Sequence, residues 1–224
     1  IPLMLTQTCG LAMSQADIWI AGMMAAPAAI AMYATAQRLL ALLTVPLQIA
    51  GTAIINFVPE MADSEKTKLQ QTVSLAAFTG GVPGMVLAVL FICFAEQILT
   101  LVFGGRYASA ADLLRILTVG QLVCLMTGPC EILLMMAGKQ NTTLKVNVVA
   151  AAALAILGPC AVLGFGMRGL AIAIATVTAT QNLANCYLAH RLLGIVTHVG
   201  AVPWTTLDAL LRRGPFNLSK HYSR

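Results

Sequence analysis

Six stretches of this chain are apolar for longer than a soluble core requires. They run over roughly 3–24, 28–58, 72–101, 110–137, 144–165 and 169–191. A helix crosses a hydrocarbon core of about 30 Å with about 20 such residues. The runs do not alternate polar with apolar, so they do not read as barrel strands, which are about ten residues each and keep a two-residue period. They specify an all-α membrane protein built as a six-transmembrane-helix bundle.

The charge count agrees. Asp, Glu, Lys and Arg make up 9% of the residues, against about 25% in a soluble domain. So few charges cannot cover a water-facing surface. The formal net charge of +5 comes from basic residues scattered singly, without a basic face or interleaved aromatics, so no nucleic-acid partner is expected. The six cysteines, Cys9, Cys93, Cys124, Cys130, Cys160 and Cys186, form no CxxC pair and sit in apolar stretches as small packing residues. No HExxH, GxSxG or Walker loop is present, so the chain is not expected to be an enzyme.

The breaks between runs have local causes. Pro27 starts the second helix after Ala25 and Ala26. The segment 59–71 carries clustered charges and is expected to be wet. Gly104 and Gly105 open the third break, with Ser109 or Asp112 as N-cap. The polar segment 138–145 and the glycine-rich turn 164–169 supply the last two. Pro46 and Pro83 are kink candidates within their helices. Gly80 and Gly84 form a GxxxG spacing, a weak sign of close packing in so glycine-rich a chain.

Basic residues set the orientation. Lys66, Lys68, Lys139, Lys145 and Arg191 fall on one side, with Arg106, Arg115 and Arg168 on the other. Both termini are therefore expected in the cytoplasm. The six spans form one unit over 1–195. The remainder, 196–224, is a cytoplasmic tail in which Trp204, Leu207, Leu210 and Leu211 against Arg212 and Arg213 suit an interfacial amphipathic helix. An extension without fixed structure fits the tail equally well. The chain opens at Ile1 inside an apolar run, which suggests part of a longer protein.

The chemistry lies in polar residues inside the spans. A charge at mid-helix costs about 2.5–3.5 kcal/mol on the insertion scale, so such groups face a bundle interior or a wet cavity. At 100° per residue, Gln7, Gly10, Ser14 and Asp17 share a sector of the first helix. Tyr33, Gln37, Thr44, Gln48 and Gly51 share one on the second. Gln121, Cys124, Gly128 and Glu131 do so on the fourth, and Thr178, Gln181, Asn182 and Asn185 on the sixth. The middles of the third and fifth carry no such stripe. Four helices are thus expected to line a common polar space. Interhelical hydrogen bonding is the alternative role for these Gln and Asn residues. Arg38 stands about 100° off its helix's stripe; it either snorkels or pairs with Asp17. Asp17 is either a structural partner or an ion-path residue. Glu131 lies near the cytoplasmic end, where it reaches the interface or serves the same path.

These residues carry a resemblance. Residues 16–62 contain Asp17, Gly22, Tyr33, Ala36, Arg38, Leu39, Pro46 and Pro59 in an order that resembles polysaccharide flippases of the O-antigen type, in the multidrug/oligosaccharidyl-lipid/polysaccharide exporter superfamily. The core is Tyr33-Ala34-Thr35-Ala36-Gln37-Arg38-Leu39. "LVFGGRYASAADLLRILTVGQL" (101–122) and "MMAGKQNTTLK" (135–145) are similar to two further segments of that family. Ala25-Ala26-Pro27 departs from its usual glycine-rich turn.

The resemblance implies one lobe of a two-lobe exporter, the C-terminal one, with a missing N-terminal lobe elsewhere in the same chain. It implies flipping of a lipid-linked oligosaccharide, undecaprenyl-diphosphate-linked repeat units, across the bacterial inner membrane by alternating access, as part of lipopolysaccharide or other polysaccharide biosynthesis. Arg38 would meet the diphosphate, and Gln37, Gln48, Gln121, Gln181 and Asn185 the glycan. Asp17 and Glu131 would bind a coupling H+ or Na+, or act structurally. No other cofactor is implied. A multidrug/cation antiporter lobe, and an inactive truncated or scaffold membrane protein, are the alternatives.

Overall fold

A computed structural model describes residues 15–61 and 66–194. The tail 196–224, Cys9 and the stripe residues Gln7, Gly10 and Ser14 lie outside the described residues. All regular structure among those described is helical. In chain order it consists of α1 (15–24), α2 (Pro27–Met61), α3 (Lys66–Cys93), α4 (Ala95–Phe103), a 3-10 turn (Gly105–Ala110), α5 (Ala111–Thr127), α6 (Cys130–Met136) and α7 (Gln140–Leu193).

Four of these helices are long and apolar enough to cross a membrane, over Pro27–Thr52, Val73–Cys93, Gly105–Thr127 and Gln140–Leu193. The last has 54 residues, about 80 Å if it were straight. It is not straight. Gly166 takes φ 61 and ψ −146 inside it, a conformation that favours glycine. The arms on either side fold back on each other. Gln181 Nε2 reaches Asn147 Oδ1 at 2.9 Å, and a Cβ at Gly158 would lie 3.6 Å from Leu170. Both contacts place the fold at residues 164–166. One helical run therefore supplies the fifth and sixth predicted spans, with the glycine-rich turn where it was expected.

Two other predicted spans are each interrupted. The third is α3 followed by α4, bent at Phe94 (φ −117, ψ 24). The ladder survives the bend, since Phe94 N donates to Leu90 O at 2.8 Å and Ile98 N to Phe94 O at 2.9 Å. The fourth is α5 followed by α6, separated by Gly128 (φ 76, ψ −165) and Pro129. Proline removes a donor and clashes with the preceding turn, and glycine accepts the positive φ. Pro46 and Pro83, the expected kink sites, interrupt no helix.

The core sits among α2, α3, α4 and α5, with Tyr33, Leu43, Leu99, Leu114, Leu117 and Leu125 at its centre. A second apolar cluster joins Ile20 of α1 to Leu154 and Leu170 on the arms of α7. The outside is apolar as well: Leu101 is 87% exposed and Phe165 80%. An apolar exterior around a packed interior is what a lipid solvent permits.

The GxxxG spacing is used. A Cβ at Gly80 would stand 2.7 Å from Leu47 Cα and 2.9 Å from Pro46 O, and one at Gly84 2.9 Å from Leu43 O. Both glycines press α3 against the backbone of α2. Gly80→Leu is expected to destabilise the protein by about 3 kcal/mol, at the upper end for overpacking, because a backbone cannot rotate away. Thermal unfolding in detergent would read this as a lowered Tm.

Candidate functional site

Asp17 lies on α1 and is buried, with 4% exposure. Its partners come from α2. The Tyr33 hydroxyl donates to Asp17 Oδ2 at 2.8 Å, and the Gln37 amide donates to the same oxygen. Gln37 Nε2 also approaches the Tyr33 hydroxyl at 2.7 Å. Asp17 Oδ1 accepts the backbone N–H of Ile18 at 2.8 Å. Tyr33 and Gln37 are one turn apart, so both reach the same point on α1. A carboxylate inside a membrane helix is thereby held by donors rather than by a cation.

Of the two roles open to Arg38, pairing with Asp17 is not the one found. Arg38 is exposed, and no ion pair joins it to Asp17 among the described residues. One residue further along a helix is 100° further round it. Gln37 therefore points inward and Arg38 outward.

The donor cluster borders a cavity of about 270 Å³. Its polar lining is Asp17, Gln37, Gln121 and Thr178; its apolar lining includes Leu40, Leu117, Leu154 and Ile174. One residue from each of the stripes on the first, second, fourth and sixth predicted helices thus lines this cavity. The wall between α5 and the second arm of α7 is thin: a Cβ at Gly120 would lie 2.6 Å from Ala175 Cα.

A second polar cluster begins one turn beyond Thr178. Gln181 Nε2 donates to Asn147 Oδ1 at 2.9 Å, and Asn147 Nδ2 donates to Glu131 Oε1 at 3.0 Å. Glu131 is half-buried and Asn185 fully buried. Asn182 turns back to its own helix, donating to Thr178 O at 2.9 Å. Gln48 is exposed, with its amide 3.3 Å from Thr44 Oγ1. Thr143 and Asn147 escaped the sequence reading: Thr143 fell in the polar segment 138–145 between spans, and Asn147 stood at the start of the fifth span, just outside the stretch 148–165 searched for a polar stripe. The helix in fact starts at Gln140, which puts these two residues one turn apart on one face. Among the described residues, no group of three or more His, Cys, Asp or Glu is placed to hold a metal.

At the opposite end of the helical bundle, Asp112 ties the α7 turn to α5. Arg168 Nη2 lies 2.5 Å from Asp112 Oδ2 and Arg115 Nη1 3.5 Å from Oδ1. Arg115 Nε also donates to Ile92 O at 3.2 Å.

The MatE family model matches residues 2–160. No curated protein and no solved structure matches the chain.

Proposed function

The chain belongs to the MatE family, and on that premise we propose that it is a lobe of a transporter for a lipid-linked oligosaccharide. The coarser statement follows from the family itself. Its members are multi-pass membrane transporters of the multidrug/oligosaccharidyl-lipid/polysaccharide exporter superfamily rather than enzymes.

The observation that carries the finer reading is the outer side of α2. Arg38, Ala41, Val45, Gln48 and Thr52 are exposed there, within about 80° of one another, with three polar side chains among the five. Arg38 stands eleven residues into the helix, about 16 Å from its start, near the middle of a 30 Å core. Acyl chains solvate a guanidinium badly at that depth. This arc is therefore suited to a water-filled cleft shared with a second lobe. The internal cavity, at about 270 Å³, is below the 300–1,000 Å³ of drug-sized sites and far too small for a glycan. A large amphiphile would pass along the outside of the lobe, with its lipid in the bilayer. Arg38 then meets the diphosphate, and Gln48 and Thr52 meet sugar hydroxyls. Gln37, Gln121, Gln181 and Asn185 serve the interior instead.

In this reading the partners are the bilayer, the lipid-linked repeat unit and a further lobe of the same chain. The setting is the bacterial inner membrane, with both termini cytoplasmic. The drug/cation antiporter reading has its own support in the buried Asp17 carboxylate beside a small cavity. Drug resistance lost in Asp17→Asn with glycan export intact would favour that alternative.

In the full-length protein, Gln48→Cys and Thr52→Cys are expected to react with a membrane-impermeant maleimide. Val86→Cys and Val89→Cys, at positions 57% and 56% exposed on the apolar face, are expected to stay unreacted. Arg38→Ala should insert normally and lower export at least about tenfold, since a charge-assisted hydrogen bond contributes about 1.5–3 kcal/mol. Full complementation by Arg38→Ala, or inert cysteines at 48 and 52, would overturn the proposal.

A further inference from the structure

The fold-back of α7 brings both ends of that helix to one edge of the bundle. The Gln181–Asn147 hydrogen bond fixes the register of its two arms. In that register Lys139 is level with Ala189, and Lys145 with Leu183. Lys139, Lys145, Tyr187, His190 and Arg191 therefore fall within a band of about 12 Å along the arms. All of them are exposed.

The two lysines and Arg191 have no counter-ion in the described fold. α7 carries no Asp or Glu along its 54 residues. The neighbouring α6 contributes Glu131, which is half-buried and accepts from Asn147 Nδ2 at 3.0 Å. Among the described residues, neither lysine nor Arg191 joins an ion pair. The turn end of the same hairpin differs, since Arg168 meets Asp112 there. The start of α7 adds to the positive field. No side chain caps it, and its free N–H groups favour an anion.

The surroundings of these cations select the anion. Lys145 shares a face of the first arm with Val148, Val149, Ala152 and Ile156, within about 100°. All four are exposed, and such a face is solvated by acyl chains. Lys145 stands five residues into α7, about 8 Å from its start, so its stem can carry the ammonium to headgroup level. On the second arm, Leu183 and Tyr187, 55% and 61% exposed, share a face with His190 and Arg191. An exposed tyrosine between an apolar face and a basic end marks a membrane–water boundary. A soluble acidic partner would have to reach cations flanked by lipid. A phospholipid headgroup already lies at that depth.

We propose that the open end of α7 binds anionic phospholipids of the bilayer. Lys139, Lys145 and Arg191 hold the phosphates through charge-assisted hydrogen bonds, Tyr187 sits at headgroup level, and acyl chains run along Val148, Val149 and Ile156. Such lipids secure the arms at their open end, as Asp112 secures the turn. They are components of the membrane and not cargo, so the proposal stands apart from what the protein exports.

Native mass spectrometry of the purified full-length protein in detergent tests this, with dioleoyl phosphatidylglycerol and dioleoyl phosphatidylcholine titrated separately. Each basic residue near anionic headgroups strengthens binding about fivefold, so phosphatidylglycerol is expected to bind at least about tenfold more tightly. The triple variant Lys139→Gln/Lys145→Gln/Arg191→Gln changes exposed side chains alone. It should melt with the wild type while binding phosphatidylglycerol at least about tenfold more weakly. Arg106→Gln, which removes an exposed cation elsewhere, should leave the preference unchanged. Glycerol phosphate, which has no acyl chains, should not displace the lipid at millimolar concentration. Equal binding of the two lipids by the wild type would overturn the proposal, as would a preference retained by the triple variant. Complete displacement by glycerol phosphate would show a site for free phosphate and overturn the lipid assignment. The readout is lipid binding, so none of these results bears on export.

Discussion

Asp17→Leu is expected to destabilise the protein by about 3–5 kcal/mol, among the larger losses available to a single substitution here. The carboxylate accepts from two side chains, the Tyr33 hydroxyl and the Gln37 amide. Hydrogen bonds to a charged group contribute about 1.5–3 kcal/mol each. Leucine has the same branched skeleton but carries two methyl groups where aspartate has smaller oxygens, so crowding adds to the loss from stranded donors. Tyr33 is 0% exposed and cannot turn to water. Gln37 borders the cavity and can recover part of its loss there. Asp17→Asn can set its carbonyl at the Oδ2 position to accept from both Tyr33 and Gln37, leaving its amide toward the Ile18 N–H, so its expected loss is smaller, about 1–2 kcal/mol. Tyr33→Phe removes one donor and should cost about as much. Thermal unfolding of the three variants orders them, with Leu worst. An Asp17→Leu protein as stable as wild type would mean that the Asp17–Tyr33–Gln37 cluster does not hold α1 to α2.

The sequence made the convergence of stripes legible because helical angle is simple arithmetic. Asp17, Gln37, Gln121 and Thr178 were each on a polar sector, and each lines the cavity. The same arithmetic separated Gln37 from Arg38, but it could not say which of them faced inward. That depends on where α1 packs, which is a tertiary fact. Gln48 shows the same limit: it shares Gln37's sector by angle yet is exposed. The interruption at Gly128 and Pro129 was hidden inside an apolar run, because hydropathy measures partition and not backbone geometry. Thr143 was missed for the opposite reason. A polar segment at the membrane edge reads as loop, although nothing prevents a helix from starting there. The Gly80–Gly84 spacing was visible as a pattern, but its meaning required the partner backbone of α2.

The hairpin of α7 supports one more result of large size. A Cβ at Gly169 would stand 2.2 Å from Ala161 O, 2.8 Å from Ala161 C and 2.9 Å from Phe165 Cβ. The obstruction is mainly backbone, so no side-chain rotation relieves it and the arms must separate at the turn. That displacement propagates. Arg168 is the next residue, and its contact with Asp112 ties the turn to α5. Ala175, against which Gly120 is pressed, and the cavity residue Thr178 lie on the same arm. Gly169→Ala is therefore expected to cost about 3 kcal/mol or more, a drop of roughly 6–12 °C in Tm for a chain of this size. Gly164 lies in the same turn, has nothing within 4 Å of its Cβ position, and does not take a positive φ. Gly164→Ala should stay within about 0.5 kcal/mol of wild type. Gly166→Ala, at φ 61 and ψ −146, should fall between the two, since a non-glycine residue forced there costs about 1–3 kcal/mol. The order of the three separates crowding from backbone strain. Equal melting of Gly164→Ala and Gly169→Ala would show that the arms do not meet in this register, and the Gln181–Asn147 hydrogen bond would go with it.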